Sequence, residues 1–194
     1  MLKNDLKIFT LNGKDTFLNV TAENFSFDEG KVTFIFGKYD LEKAKGERLI
    51  EHIKIWLSID EASYLGEILL SNKIVSLNKL VEKGVIPYKP YFHSGGGVKN
   101  GKTFARQLYI DLVKDEKSKY FLTLSGLEGP GIKSSKGLFT LDKTKKNERK
   151  SFKFSLTYED SVKLGLSLKR AVSMFDYLVL NKSIDGFIDK LKNF

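Results

Sequence analysis

The chain has 194 residues, 41% of them hydrophobic, and a net charge of +9; this composition predicts a folded protein with a substantial core and excludes a disordered one. It contains no cysteine, which excludes disulfide bonds, thiolate metal sites and a cysteine nucleophile, and its two isolated histidines predict no histidine-ligated metal site. No apolar run approaches the roughly 18 residues of a membrane span, and MLKNDLKIF lacks a signal-peptide core, so we expect a cytoplasmic protein without a membrane partner.

The first half of the chain alternates apolar and polar residues in four stretches, which is the pattern of strands with one buried face. An Asn-Gly pair at 12–13 predicts a hairpin turn after the first of them. From Ile59 the apolar residues change to helical spacing, which predicts a helix to about residue 71 and a shorter helical piece after it. The predicted strands lie at 7–12, 17–27, 32–36 and 51–57, and the second helical piece at 75–81.

The second half repeats this order of elements. Strands are predicted at 89–93, 105–113, 119–125 and 151–156. The helix that follows, 158–180, is apolar on several sides, which predicts burial within the chain or against another copy of it. Two insertions rich in glycine, serine and lysine, 94–101 and 126–150, are predicted to be mobile, basic loops.

One stretch of sequence occurs twice. IKIWLSIDEASYLG at 53–66 aligns without gaps with FKFSLTYEDSVKLG at 152–165, 99 positions later. Each copy begins with strand alternation and changes to helical spacing, so each predicts a strand that leads directly into a helix. The duplication predicts an α+β fold of two tandem ββββα modules, 1–86 and 87–194, in a single pseudo-symmetric domain.

The junction between strand and helix carries a capping signature in both copies. Ser58 and Thr157 stand at the N-cap position, where a side-chain oxygen accepts hydrogen bonds from unpaired helix amides. An acid follows three residues later in each copy, Glu61 and Asp160, which is the spacing of a capping box. We therefore expect α-helices to begin immediately after these two residues.

Residues 96–103, GGVKNGKT, satisfy the letter pattern of a Walker phosphate-binding loop. Such a loop needs a buried strand before it and a helix after it, whereas the residues after Thr103 alternate as a strand does. Asn-Gly-Lys at 100–102 also matches Asn-Gly-Lys at 12–14, which favours a hairpin turn. A nucleotide-dependent enzyme built on Lys102 and Thr103 is the alternative.

The positive charge is concentrated in the second half of the chain. Residues 1–86 contain 12 Lys and Arg against 13 Asp and Glu, and residues 87–194 contain 21 against 11. Between residues 89 and 153 the balance is 15 basic to 6 acidic. This distribution is typical of a surface that binds a polyanion, with an ordinary soluble basic surface as the alternative.

Strand alternation also predicts which side chains point away from the core. Lys54 and Trp56 alternate with apolar partners, as does Lys153, while Gln107 and Tyr109 share one face. Aromatic side chains on such a face stack on bases for roughly 1 to 3 kcal/mol each, and cations follow the phosphates; alternatively, the aromatics cover a second sheet. The predicted nucleic-acid-binding residues are Lys54, Trp56, Lys99, Lys102, Arg106, Gln107, Tyr109, Lys119, Phe121 and Lys153.

Four strands that lead into one helix, duplicated in one chain with aromatic and basic residues on the sheets, resemble the Whirly single-stranded-DNA-binding proteins. The layout is also similar to that of the PUR proteins and the positive-cofactor transcription coactivators. Lys99-Asn100-Gly101-Lys102 resembles the Lys-Gly-Lys motif of plant Whirly proteins, with an inserted Asn and without the following Ala. The resemblance implies single-strand binding across antiparallel sheets, with helices packed behind them and used for oligomerisation.

The sequence thus predicts a non-enzymatic protein that binds single-stranded DNA with little sequence specificity and supports replication, recombination, transfer or transcription of DNA. RNA is the alternative ligand, and an oligomeric protein-binding scaffold without nucleic acid is a further alternative. We expect a homo-oligomer that assembles through helix 158–180. No paired-carboxylate, Ser/His/Asp or metal constellation rises above chance, so no catalytic residue, metal or cofactor is predicted.

Overall fold

The computed structural model describes residues 6–23, 30–44, 46–86, 89, 91–113 and 118–192, without the side chains of 23, 99 and 184–192. Within these ranges the chain forms two antiparallel sheets and three α-helices, so the fold is α+β. The strands are β1 (Leu6–Asn12), β2 (Thr16–Glu23), β3 (Lys31–Tyr39), β4 (Leu49–Ser58), β5 (Tyr91–Lys99), β6 (Lys102–Leu112), β7 (Leu122–Lys133), β8 (Phe139–Leu141) and β9 (Lys150–Leu156). The helices are α1 (Ile59–Leu70), α2 (Lys73–Glu82) and α3 (Tyr158–Lys192).

The first sheet, called the N-terminal sheet here, has the order β1-β2-β3-β4. Its alternating residues bury one face, on which Phe34 pairs with Ile55 across β3 and β4. The four strands predicted for this half are confirmed, and β3 and β4 continue beyond the predicted bounds because their backbone pairing extends to Tyr39 and Leu49. The last four positions predicted for the second strand, 24–27, lie outside the described residues.

The second sheet, called the C-terminal sheet, has β6 and β7 at its centre. β5 pairs with β6, the first part of β7 pairs with β9, and the end of β7 pairs with the short strand β8. The prediction of loops at 94–101 and 126–150 is therefore wrong in part, because residues 94–99, 126–133 and 139–141 are strands.

Glycine-rich sequence predicts loops, but the glycines of these strands are needed for close packing. A Cβ atom on Gly96 would lie 2.4 Å from the carbonyl oxygen of Phe104, and one on Gly126 would lie 2.6 Å from Cε2 of Phe36. A glycine in a strand often marks such an approach of another chain segment. The same residue type that indicates a loop in sequence is here a requirement of packing.

The turn between β5 and β6 explains the Walker-like sequence. Asn100 and Gly101 both have positive φ, 50° and 72°, which is the geometry of a two-residue type I′ hairpin turn. Lys99 and Lys102 form the last pair of the two strands. The hairpin prediction is confirmed, and the Walker-loop alternative is wrong because a strand follows Lys102 where that loop needs a helix.

Both predicted capping boxes are present. The Glu61 amide donates to Ser58 Oγ while Glu61 Oε2 accepts from the Ser58 amide, and Thr157 and Asp160 make the equivalent reciprocal pair. These hydrogen bonds satisfy amides that a helix start otherwise leaves unpaired. The strand-to-helix junction is thus confirmed in each half.

The helix ends differ between the halves. Asn72 takes a left-handed conformation, with φ 55°, and α2 begins at the next residue. Asn181 precedes a lysine as Asn72 does, yet it lies inside α3, which continues twelve residues past the predicted end at 180. A similar dipeptide therefore ends one helix and not the other.

One hydrophobic cluster contains side chains from both halves of the chain. Phe36 of the N-terminal sheet lies against Phe152 and Phe154 of β9, with ring centres 6.5 and 6.0 Å apart. In α3 the buried apolar side chains are Leu164, Leu168, Ala171 and Val172. Leu166 and most apolar side chains beyond Val172 are exposed, so the predicted burial of this helix within the chain is confirmed only for one side of its first part. No helix in the described ranges combines the length and hydropathy needed to cross a bilayer.

Candidate nucleic-acid interface

The C-terminal sheet has one face in the core and one face directed away from it. Leu108, Leu124 and Phe154 lie on the core face, because the even-numbered residues of β6, β7 and β9 point inward. The odd-numbered residues of these strands and the even-numbered residues of β5 lie on the other side. We call this second side the outer face.

A row of four side chains crosses the outer face. Backbone register places Phe92 beside Tyr109, Tyr109 beside Ser125, and Ser125 beside Lys153. Directly paired side chains have Cβ atoms about 4.5 to 5.5 Å apart, so Phe92 and Tyr109 form an adjacent aromatic pair. Phe92 is 41% exposed and Lys153 is exposed, whereas Tyr109 is half-buried and Ser125 is buried. The predicted outward orientation of Tyr109 and Lys153 is confirmed.

A lysine and a carboxylate lie at the β6 side of this row. Lys89 Nζ is 5.5 Å from the centre of the Tyr109 ring and 2.7 Å from Oδ1 of Asp111. A cation at this distance from an aromatic ring is attracted to it. The row therefore has a cation near its aromatic pair and another, Lys153, at its far end.

The next row of the outer face lies beside strand β8. Ser94 Oγ donates a hydrogen bond of 2.7 Å to the carbonyl oxygen of Phe139, and the Phe139 side chain lies over Gly96. A groove of about 840 Å³ runs between β8 and the sheet. It is lined by Gln107, one of the predicted binding residues, together with Phe92, Leu138, Lys143 and Arg149.

The two cations of this lining, Lys143 and Arg149, belong to a strongly basic segment. Residues 131–150 contain seven Lys and Arg (133, 136, 143, 145, 146, 149 and 150) and two acids (142 and 148), an excess of five positive charges. Hydrogen bonds from the hydroxyl and the amide of Thr144 hold the pKa of Asp142 below its usual value, so this carboxylate remains charged at neutral pH. Asp142 therefore counts as a negative charge in this balance, and the excess remains five positive charges.

Arg149 lies at the base of the groove. Its side chain packs over Gly129, where a Cβ atom would lie 2.9 Å from Arg149 Cγ. Its Nη2 donates to the carbonyl oxygen of Asp142, whereas its buried Nε has no hydrogen-bond partner. Buried donors are normally paired, so the Arg149 Nε is an exception within the described residues.

Four other predicted residues lie outside the outer face. Trp56 and Lys54 share one face of β4, and Trp56 is 38% exposed. Lys102 and Arg106 have even numbers and therefore lie on the core side of β6. They are in the N-terminal part of this strand, before Leu108. Trp56 contacts Arg106, whose guanidinium carbon lies 4.8 Å from the centre of the indole ring.

The remaining predicted residues are dispersed. Lys119 is exposed, 5.2 Å from the Tyr120 ring centre, and precedes β7 because that strand begins at Leu122. Phe121 packs edge-on against Tyr158 at the start of α3, with ring centres 5.4 Å apart. The Lys99 side chain lies outside the described residues, although its backbone ends β5.

Sequence reasoning missed Phe92, Phe104 and Arg149. Phe92 lies in a predicted strand, but its position beside Tyr109 depends on the register between β5 and β6. Arg149 lies in a segment that was predicted to be a loop, so no alternation indicated its direction. Phe104 precedes the predicted start of β6 by one residue, and its ring lies beside Arg106 of the same strand.

His93 Nδ1 lies 2.8 Å from Glu61 Oε1, and this pair has no third potential metal ligand among the described residues. No group of three His, Asp or Glu side chains in the described ranges is arranged so that it could hold a metal ion. Comparison of the chain with models of protein families, with curated proteins and with solved structures found no match.

Proposed function

We propose that the protein binds single-stranded DNA with little sequence specificity across the outer face of the C-terminal sheet. The observation that carries the proposal is the row in which the aromatic pair Phe92 and Tyr109 leads to Lys153, beside a groove with a basic wall. Aromatic stacking combined with cations that follow the backbone is the usual chemistry of single-strand binding. The function needs no cofactor and no catalytic residue.

Stacking on the outer face selects single strands over duplexes. The flat faces of bases are accessible when a strand is unpaired, whereas in a duplex they are covered by their neighbours. Phe92 is exposed enough to receive a base, and Tyr109 is its direct neighbour across the strand pair. Since every base has such a face, this contact carries little sequence information.

The groove beside β8 supplies contacts for phosphates. Lys143 and Arg149 line it. Arginine and lysine neutralise phosphate oxygens in a way that weakens with salt. Gln107 lies between the groove and the aromatic row, where its amide can donate to or accept from a base edge.

We also propose that the fold is of the Whirly type, with two tandem ββββα modules. Support comes from the two capping boxes, at Ser58 and Thr157, which occupy equivalent positions of the duplicated stretch. Gly66 and Gly165, also equivalent in that alignment, meet where α1 and α3 cross. In this proposal the protein acts in the cytoplasm during replication, recombination, transfer or transcription.

The test is a binding titration with three labelled ligands of equal length: oligo-dT, an RNA homopolymer and a DNA duplex, each at two salt concentrations. We expect the tightest binding to oligo-dT and weaker binding at the higher salt. Tighter binding of the RNA would indicate that RNA is the ligand of the same proposed surface. Equal affinity for all three, no binding, or no dependence on salt would overturn the proposal.

A protein-binding scaffold is the second candidate, because α3 exposes large apolar side chains beyond Val172. Met174, Tyr177 and Leu180 are each more than 40% exposed. Exposed apolar patches of this kind mark association surfaces. In both functions we propose that this part of α3 joins copies of the chain, so light scattering should give an oligomer in either case. The titration distinguishes the two, because the scaffold binds no nucleic acid.

A further inference from the structure

Arg106 is held between two aromatic rings that come from different sheets. Its guanidinium carbon lies 4.8 Å from the ring centre of Trp56 in the N-terminal sheet and 4.7 Å from that of Phe104 in the C-terminal sheet. Arginine stacks on aromatic rings through the flat face of its guanidinium group. Contact with both rings therefore restricts the position of the guanidinium group.

The orientation of the group within its plane is fixed by Glu128. Arg106 Nε donates to Glu128 Oε2 over 2.5 Å, and both side chains are largely buried. This is the hydrogen bond that Arg106 makes within the described part of the chain, and it uses one of five N–H groups. The terminal nitrogens Nη1 and Nη2 keep four donors in a rigid fork.

A cleft of about 440 Å³ opens beside this fork. Lys102 and Lys150 line it with Arg106, and Glu128 and Glu148 are the acids in the lining, so three cations face two carboxylates. Lys150 Nζ also lies 3.9 Å from Glu51, which is a weak ion pair at an exposed position. The lining of the cleft has one more cation than carboxylate, and the donors of Arg106 are already oriented.

We propose that this cleft binds a phosphate group, which Arg106 grips with its terminal nitrogens while Lys102 and Lys150 neutralise its charge. A planar guanidinium fork matches two oxygens of a phosphate, and fixing it before binding lowers the entropic cost of capture. The phosphate can belong to a free nucleotide or to the backbone of a strand. The cleft lies on the opposite side of β6 from the outer-face row, so this site is separate from the surface proposed for stacking.

The test follows the fluorescence of Trp56, the only tryptophan in the chain, because a ligand on Arg106 changes the surroundings of the indole. Pyrophosphate is added to the protein and compared with sodium chloride of equal ionic strength. In the same way dTMP is compared with thymidine. We expect saturable changes with pyrophosphate and dTMP, and none with the salt or with thymidine. An equal response to thymidine, or no response beyond that of the salt, would overturn the inference.

Variants assign the response to the cleft. Arg106→Lys keeps the charge but loses the fork, so we expect affinity for pyrophosphate to fall at least about tenfold, as for the loss of one charged hydrogen bond. Lys102→Gln is exposed and should fold normally while weakening binding. Lys136→Gln, in the β7–β8 turn, is the matched control. Unchanged affinity in both Arg106→Lys and Lys102→Gln would also refute the site.

The titrations distinguish failure of the phosphate site from failure of the proposed DNA function. If wild-type protein binds pyrophosphate but not oligo-dT, the phosphate site stands and the proposed DNA function fails. If oligo-dT binds but pyrophosphate and dTMP do not, the proposed DNA function stands and the phosphate site fails. Titration of the Arg106→Lys variant with 5′-phosphorylated and 5′-hydroxyl oligo-dT then identifies the source: a loss for both indicates a backbone phosphate, and a loss for the phosphorylated strand alone indicates a terminal one.

Discussion

Gly66 of α1 and Gly165 of α3 lie together where the two helices cross. A Cβ atom on Gly66 would be 3.3 Å from the carbonyl oxygen of Gly165, and one on Gly165 would be 3.0 Å from Leu70 Cγ and 3.2 Å from Leu69 Cβ. The two glycines also occupy the same position of the duplicated stretch. The repeated residue is therefore the contact point between the two copies.

Replacement of Gly165 by valine should destabilise the protein by about 1 to 3 kcal/mol, because a branched side chain has no space at the helix crossing. Urea unfolding measures the change. Ser173→Val, at an exposed position of the same helix, is the control: serine and valine have similar helix propensities, so stability should stay within about 0.5 kcal/mol. Equal effects of the two variants would contradict the close approach.

The capping boxes should contribute separately to stability. Ser58→Ala and Thr157→Ala each remove a side-chain acceptor at a helix start, and we expect each to lower the free energy of unfolding by about 1 kcal/mol. Ser173→Ala, in the exposed middle of α3, should instead be neutral or slightly stabilising, since alanine is the better helix former. A neutral result for both cap variants would show that these hydrogen bonds do not stabilise the helices.

Tyr91 should make the protein sensitive to alkali. Burial, followed by the charges of Glu61 and Tyr64, raises the pKa of Tyr91 above its ordinary value of 10.0. The folded state thus favours the neutral phenol, so its contribution to stability is complete below about pH 10 and is lost as the pH rises above that value. Urea unfolding at pH 8 and pH 11 should show a smaller loss for Tyr91→Phe than for wild type. Identical losses would refute this assignment.

Removal of either outer-face aromatic should weaken binding of oligo-dT. We expect Phe92→Ala and Tyr109→Ala each to cost about 1 to 3 kcal/mol of binding free energy, the usual contribution of a stacked base. Fluorescence anisotropy with a labelled oligonucleotide measures it. Tyr64→Ala removes an exposed ring from α1, outside both the outer face and the exposed part of α3, and should leave affinity for the strand unchanged.

The charge at the end of the same row gives an independent measurement. Lys153→Gln should reduce the slope of log K against log salt by about 0.7, the value for one phosphate contact with a single strand. Lys73→Gln, on α2 in the charge-balanced half, is the control and should not change the slope. If both variants keep the wild-type slope, Lys153 does not contact phosphate.

The exposed part of α3 should hold copies of the chain together. We expect light scattering to give a mass that is a multiple of the 22.1 kDa chain, and Tyr177→Glu with Leu180→Glu to reduce it to that of one chain, since charges would be buried in the apolar contact. A double substitution at exposed polar positions of the same helix, Ser173→Glu with Ser183→Glu, tests for a general effect of charge. A wild-type protein with the mass of one chain would exclude this assembly surface.

Local pattern determined much of the fold. Strand alternation identified the buried face of β9 and the outward direction of Tyr109 and Lys153, because successive side chains of a strand point to opposite sides whatever lies against them. The capping boxes and the Asn100-Gly101 turn were also predictable, because each depends on a few adjacent residues. The same local reasoning failed where glycines stood in strands.

Tertiary structure alone decided how these elements meet. The sequence predicts a loop at Gly126, yet this residue lies in β7. Its lack of a side chain leaves space for the Phe36 ring of the other sheet. Phe92 joined Tyr109 through strand register, and β8 formed the groove over Gln107. Trp56 and Arg106 are 50 positions apart in the sequence and were both predicted as binding residues. Their contact depends on the packing of two sheets, which no periodicity within one strand records.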